Sequence, residues 1–182
     1  MRRYNADNYK KIAILGSFGK HYEVIVSAAN DFIQDGFEVL VPKLDGFKDE
    51  NNGFILLNGD ETNDPRVLET KYIEECIKAD CVYVCDKDGY IGTTVAFELG
   101  ILVTLGQEVY FMEKPQDQLF GSMMNIQRMP IYSTDTLIKM MNIHNTTFNS
   151  RDWFDSYDVS DDSNFYLTKK LPATIRWIFY YK

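Results

Sequence analysis

Positive charge is scarce in this chain of 182 residues, where 19 Lys and Arg face 27 Asp and Glu for a net charge of −8. A surface this acidic repels phosphate backbones and anionic headgroups. That excludes non-specific nucleic-acid binding and electrostatic attachment to a membrane. Long apolar runs are missing too: none reaches the roughly 18 residues of a membrane-spanning helix. The opening residues, Met1-Arg2-Arg3-Tyr4-Asn5-Ala6-Asp7, hold no apolar signal core, so a cytoplasmic protein is expected. Cysteine is limited to Cys76, Cys81 and Cys85, an odd number without the paired CxxC spacing of a metal site. Cys81 and Cys85 bracket an apolar run and read as buried thiols. No metal and no cofactor are expected.

Aromatic residues, by contrast, are abundant, with 12 Tyr, 12 Phe and two Trp. This composition belongs to a packed chain and not to a disordered one. The length is enough for a real core and short for two, so residues 1–182 read as one domain. Its core spans about 11–143 and a C-terminal extension about 144–182.

The order of elements argues for an α/β fold. Ile12-Ala13-Ile14-Leu15 is a short apolar run ending in Gly16-Ser17-Phe18-Gly19, which reads as a buried strand and a turn. Val24, Ile25, Ala28, Phe32 and Ile33 recur at helical spacing up to Gln34, and Gly36 supplies a stop. Phe37–Pro42 is the second strand. Lys43–Asn63 is polar and glycine-rich around Phe54-Ile55-Leu56-Leu57 and reads as a long loop that leaves room for a short strand or turn, of a length that is usually functional. Pro65–Ala79 is a helix with Asp64 as its N-cap. Strands follow at Cys81–Cys85, Glu108–Met112 and Met129–Tyr132, with helices at Thr93–Leu105 and Thr134–Ile143. Strands alternating with helices imply βαβ units and a parallel sheet. Right-handed crossovers then favour a Rossmann-like, flavodoxin-like sheet of about five strands flanked by helices.

In such a sheet, ligands sit beyond the carboxyl ends of the strands. Two segments reach that crevice. Gly16-Ser17-Phe18-Gly19-Lys20 is a glycine turn into a helix N-terminus, a geometry that favours anions. It is neither a Walker motif nor a GxGxxG fingerprint, and an ordinary strand-to-helix turn reads equally from it. His21 beside it reads as a surface or first-turn histidine. The second segment runs from Cys81 to Gly100 and carries Asp86, Asp88 and Glu98 around a glycine-bearing turn, Gly89-Tyr90-Ile91-Gly92-Thr93. Glu98 has Phe97, Leu99, Ala96 and Ile101 for neighbours. It is either a desolvated carboxylate suited to nucleophilic or acid–base work or an exposed helix glutamate, and the residues alone leave both open.

Gly92-Thr93 followed by Phe97-Glu98-Leu99-Gly100 resembles the "GT…FELG" signature of the nucleoside 2-deoxyribosyltransferase-like superfamily. Ile14-Leu15-Gly16-Ser17, Gly36–Pro42 and Ala79-Asp80 resemble that family's first-strand turn, second strand and entry to the third strand. The likeness covers about residues 11–112. It implies a flavodoxin-like fold and cleavage or exchange of the N-glycosidic bond of a (deoxy)nucleoside or its 5′-monophosphate. It also implies that Glu98 attacks the anomeric carbon, with Asp86 or Asp88 as a second acidic group. The 5′ end of the sugar would face Gly16, Ser17, Phe18, Gly19 and Lys20, and Gly89, Gly92 and Thr93 would complete the binding set. Gly92 stands where many members carry Asp or Ser.

Two rival readings remain. One is a phosphoribohydrolase-type enzyme, whose "GGxGTxxE" turn lacks its first two glycines here. The other is a non-catalytic module that binds or senses a nucleotide, since one fold serves many functions. Homo-oligomerisation is expected because Trp177-Ile178-Phe179-Tyr180-Tyr181 is too apolar to sit in water without a covering surface.

Overall fold

A computed structural model describes residues 10–44, 46–51, 54–127 and 129–147. The aromatic C-terminal extension expected at 144–182 lies almost wholly outside the described residues.

Strand β1 (Lys11–Gly16) is the centre of the molecule. Ile12, Ala13, Ile14 and Leu15 are all fully buried, as a parallel strand covered on both faces must be. Helix α1 (Phe18–Gln34) returns along the sheet. It buries Ile25, Ala28, Ala29 and Phe32, one stripe of a 3.6-residue period. The expected start at Tyr22 moves back to Phe18, and His21 carries the join as a non-helical residue at φ −129°, ψ 31°. Gly36, at φ +88°, turns the chain into β2 (Glu38–Val41).

The segment 43–63 is not a plain loop. It forms an antiparallel hairpin of β3 (Phe47–Asn51) and β4 (Phe54–Leu57), separate from the main sheet. The apolar run Phe54–Leu57 is what converts loop to strand: Leu56 and Leu57 are buried, and Asp60 Oδ2 accepts the Leu57 N–H. Helix α2 (Pro65–Lys78) opens as expected, with Asp64 accepting the Arg66 N–H and Pro65 at its first position. Then come β5 (Cys81–Cys85), a 3₁₀ turn at Lys87–Gly89, α3 (Thr93–Thr104) and β6 (Val109–Phe111). The chain ends its described part with α4 (Gln118–Gln127) and α5 (Thr134–Thr147). Helix α4 was not among the expected elements. The fifth strand expected at Met129–Tyr132 is reduced to one parallel bridge, Phe111 to Ile131, so the main sheet has four strands. Pro130 explains the shortfall, because a proline nitrogen cannot donate to a ladder.

Those four strands lie in the order β2-β1-β5-β6, all parallel. Side-chain alternation divides the core. Ile12, Ile14, Tyr83 and Cys85 face α1 and α5, whereas Ala13, Leu15, Val82 and Val84 face α2 and α3. The chain leaves β1 toward β2 on one side and later toward β5 on the other. The crevice where a doubly wound sheet binds ligands therefore opens beyond Gly16 and Cys85.

Gly89 locks the loops on the rim of that crevice. Its N–H donates to the Asp86 carbonyl and its carbonyl accepts the Gln116 N–H. It sits at φ +66°, and a Cβ there would come within 2.4 Å of the Lys114 carbonyl oxygen. Neither backbone can yield, so Gly89→Ala is expected to cost about 2 kcal/mol or more of stability. A lowered urea midpoint at unchanged m-value checks this; an unchanged midpoint would show that the loops relax freely.

Candidate functional site

A cavity of about 230 Å³ occupies the crevice. Its floor is the turn after β1: Gly16, Ser17, Phe18 and Gly19. One wall is the start of α3, from Gly92 to Val95, with Glu98 a turn further on. The opposite wall is α2, through Leu68, Glu69 and Tyr72, and the hairpin adds Ile55, Leu57 and the nearby Asp60. Gly16 has to be glycine for this floor to form, because a Cβ would lie 2.7 Å from Ile25 Cδ1 and 3.2 Å from the Cys85 carbonyl oxygen. Ser17 precedes α1 without its side chain capping the helix. Its carbonyl instead takes the Lys20 and His21 N–H groups, at 3.0 and 2.7 Å.

The chemistry concentrates on two carboxyl groups. Glu98 is only 5% exposed, and its pKa is driven up, first by burial and then by Glu69 beside it. Glu69 is also raised by burial, while its hydrogen bond with Glu98 pulls the other way, and its Oε1 is buried with no hydrogen-bond partner. Two carboxylates held together in a dry pocket cannot both ionise at modest cost. Burial and mutual repulsion therefore favour the protonated form of each, and of Glu98 more strongly. Tyr72, a turn after Glu69, donates its hydroxyl to the Ile14 carbonyl and ties α2 to β1. That bond fixes the wall on which Glu69 stands.

Seven of the expected residues therefore come together: Gly16, Ser17, Phe18, Gly19, Gly92, Thr93 and Glu98. Lys20 stands at the rim and does not line the cavity; its Nζ lies 3.6 Å above the centre of the Tyr90 ring. His21 is buried edge-on to the same ring at 5.9 Å. Burial and the Lys20 charge lower its pKa. Asp86, Asp88 and Gly89 are not among the lining residues. Asp86 is fully buried and its Oδ1 accepts the Glu113 N–H, which ties the end of β5 to the loop after β6. Asp88 is exposed in the 3₁₀ turn at φ 57°.

The second carboxyl of the site is thus Glu69, which motif reading passed over. A signal existed. Glu69, Tyr72 and Cys76 fall on one helical face, and a glutamate on the stripe that ends in a fully buried cysteine is out of place on a surface.

Among the described residues, no group of three or more His, Cys, Asp or Glu is arranged to hold a metal ion. The three cysteines are free and buried. No described helix is long and apolar enough to cross a membrane. No protein-family model matches the chain, and no curated protein matches it.

Burial lifts Asp86 from 3.8 to about 7. With the folded-state value above the unfolded one, its contribution to stability is full below pH 3.8 and is lost as pH rises through about 7. The slope is at most about 1.4 kcal/mol per pH unit. Asp86→Asn, which keeps an acceptor for Glu113, should gain in melting temperature relative to the natural chain between pH 5 and pH 8. Parallel melting curves would exclude a protonated buried Asp86.

Proposed function

We propose that the chain cleaves or transfers at the N-glycosidic bond of a (deoxy)nucleoside or nucleoside 5′-monophosphate. On this reading it is a flavodoxin-like member of the nucleoside 2-deoxyribosyltransferase-like superfamily, with Glu98 as nucleophile and Glu69 as acid and base. The observation that carries the reading is the buried carboxyl of Glu98 beside the half-buried carboxyl of Glu69 in the crevice cavity, with the pKa of each raised by burial. Glycosidic cleavage needs two such groups, one ionised and one protonated, around an oxocarbenium-like transition state. The proposal departs from the motif-based expectation in one respect: the second acid is Glu69, in place of Asp86 or Asp88.

The step runs as follows. The proton that Glu98 holds more strongly in the free site passes to Glu69 as substrate binds, and the Glu98 carboxylate then forms a bond to the anomeric carbon as the C–N bond breaks. The electron pair of that bond passes to the departing base, which takes the proton from Glu69. Water, or the nitrogen of a second base, then attacks the anomeric carbon and gives its proton to Glu69, and the bond to Glu98 breaks. Ile55, Leu57, Leu68 and Phe18 supply the apolar part of the lining, which keeps the carboxyl pair poorly hydrated.

Release of free base from a panel of nucleosides and monophosphates, followed by chromatography, tests the proposal. Glu98→Gln should lower turnover about 10³-fold or more while the protein stays folded. Glu69→Gln should lower it by about 10²- to 10⁴-fold for ordinary nucleosides. It should do far less harm with an N7-methylated purine nucleoside, whose cationic base leaves without a proton. Turnover should be bell-shaped in pH, because the pair works only when singly protonated, with its alkaline limb above the ordinary glutamate range. Binding without release of base would favour the sensing module, and unchanged turnover in Glu98→Gln would remove Glu98 from the chemistry.

A further inference from the structure

We infer that the crevice cavity selects a nucleoside whose base carries a fixed positive charge, a pyridinium or N-alkylated heterocycle, over one whose base is neutral. The inference rests on the reading of the cavity as a nucleoside site and narrows that reading to one substrate class.

The lining of the cavity is one-sided in charge. Asp60 reaches it from the segment after β4, Glu69 from α2 and Glu98 from α3, and no Lys, Arg or His is among its described lining residues. Two neighbouring cations are engaged outside it: Lys20 over the Tyr90 ring, and Lys71 with Glu61 at 2.7 Å. Glu98 is almost fully buried, and Glu69 Oε1 is buried without a hydrogen-bond partner. Asp60 is tied by one oxygen only, its Oδ2 accepting the Leu57 N–H. Three aromatic rings share the wall with these acids: Phe18, Tyr72 and Tyr90. Phe18 and Tyr72 meet edge-on at 6.1 Å, and Tyr90 already holds one cation, Lys20 Nζ, at 3.6 Å from its centre. Ring faces attract positive charge and carboxylates neutralise it, so a flat cationic heterocycle matches both parts of this lining. Over the whole surface, the net charge of −8 draws cations in and repels anions.

A bound cation also frees the nucleophile. Burial and Glu69 favour the protonated form of Glu98, yet only its carboxylate can attack the anomeric carbon. A positive charge inside the cavity favours the ionised form of both glutamates and drives their protons out to solvent. The other titratable groups on that wall, Tyr72 and Cys76 of α2, are held neutral, because burial first and then the glutamate charges raise them. A cationic base needs no proton to leave. As the Glu98 carboxylate bonds to the anomeric carbon, the electron pair of the C–N bond passes to the base nitrogen and cancels its charge. Water then adds to the anomeric carbon as the bond to Glu98 breaks, and its proton goes to the Glu69 carboxylate and on to solvent. One water is consumed and one proton released for each neutral base set free.

Calorimetric titration of the full chain with two non-cleavable analogues tests the inference. One is a carbocyclic pyridinium-3-carboxamide nucleoside; the other is the neutral carbocycle of the same shape with phenyl in place of pyridinium. Each is used in ribo and 2′-deoxy form. The cation should bind at least about tenfold more tightly than its neutral counterpart at pH 8. Cation binding expels protons that the free pair holds, so its affinity should rise from pH 6 to pH 8, by up to about tenfold per pH unit for each proton released. The neutral analogue should show no such rise. The double variant Glu69→Gln/Glu98→Gln, with an unchanged circular dichroism spectrum, should lose the pH dependence and most of the preference. Equal affinities, tighter binding of the neutral analogue, binding of neither, or full retention of the preference in the double variant would overturn the inference. Base release separates it from the broader reading. Turnover of neutral nucleosides but not of a pyridinium nucleoside would overturn the inference and leave glycosidic cleavage standing. Cation-selective binding with no base released from any nucleoside would remove the cleavage and keep the selectivity.

Discussion

The pairing of β1 with β5 is the constraint on which the rest of the molecule depends. Its register runs from Ile12 opposite Cys81 to Gly16 opposite Cys85, without a break. A slip of β1 by one residue would turn Ile12 and Ile14 from α1 and α5 toward α2 and α3. It would also separate the two carboxyl ends, and the cavity exists because those ends are level. Gly16 lies against the Cys85 carbonyl, so the turn after β1 and the loop after β5 leave the sheet side by side. The first loop brings Ser17 to the N-terminus of α1, and the second brings Gly92 to the N-terminus of α3. A Cβ on Gly92 would sit 3.9 Å from Ser17 Oγ, which measures how close the two helix starts come.

The carboxyl pair runs against stability and so reads as functional. Burying Glu98 where Glu69 also loses water raises the pKa of both acids, Glu98 more strongly, and a glutamine or leucine would fill the same space without that cost. Asp86 is also buried and raised, but it differs in kind. Its Oδ1 has a backbone partner in Glu113 and it tethers a loop; its Oδ2 is buried without a partner, as Glu69 Oε1 is, but Asp86 does not line the cavity and Glu69 does. An unpartnered buried oxygen on a cavity wall is where a ligand hydroxyl or base nitrogen would be bound.

Much of this was legible in the sequence because it rests on short-range patterns. The continuous apolar runs at Ile12–Leu15 and Cys81–Cys85 are what strands covered on both faces require, and Asp64-Pro65 is a helix start with a steric reason. Glu98 stood out as an acid among apolar neighbours on a helix that follows a strand. What could not be read depends on contacts between distant segments. The hairpin at 47–57 needs Leu56 and Leu57 to find cover, which local polarity conceals. Asp86 and Asp88 looked equivalent to Glu98 because all three lie near one strand end. Only the fold turns Asp86 down into the β5–β6 loops and Asp88 out to solvent. Glu69 lies 29 positions from Glu98 along the chain, and α2 packing beside α3 is what makes them neighbours.

Helix α3 joins these threads, because its two faces answer to different demands. The inner face must hold an ionisable group steady at a dry cavity, which calls for tight apolar packing at Val95, Leu99 and Leu102 around Glu98. A helix that spends its one charge inward has none left to solvate its back. Phe97 and Leu105 then face water with no charged neighbour on the helix to screen them. The placement of an acid in the cavity and the need for cover on the opposite side thus follow from one property of α3, its nearly complete lack of charge.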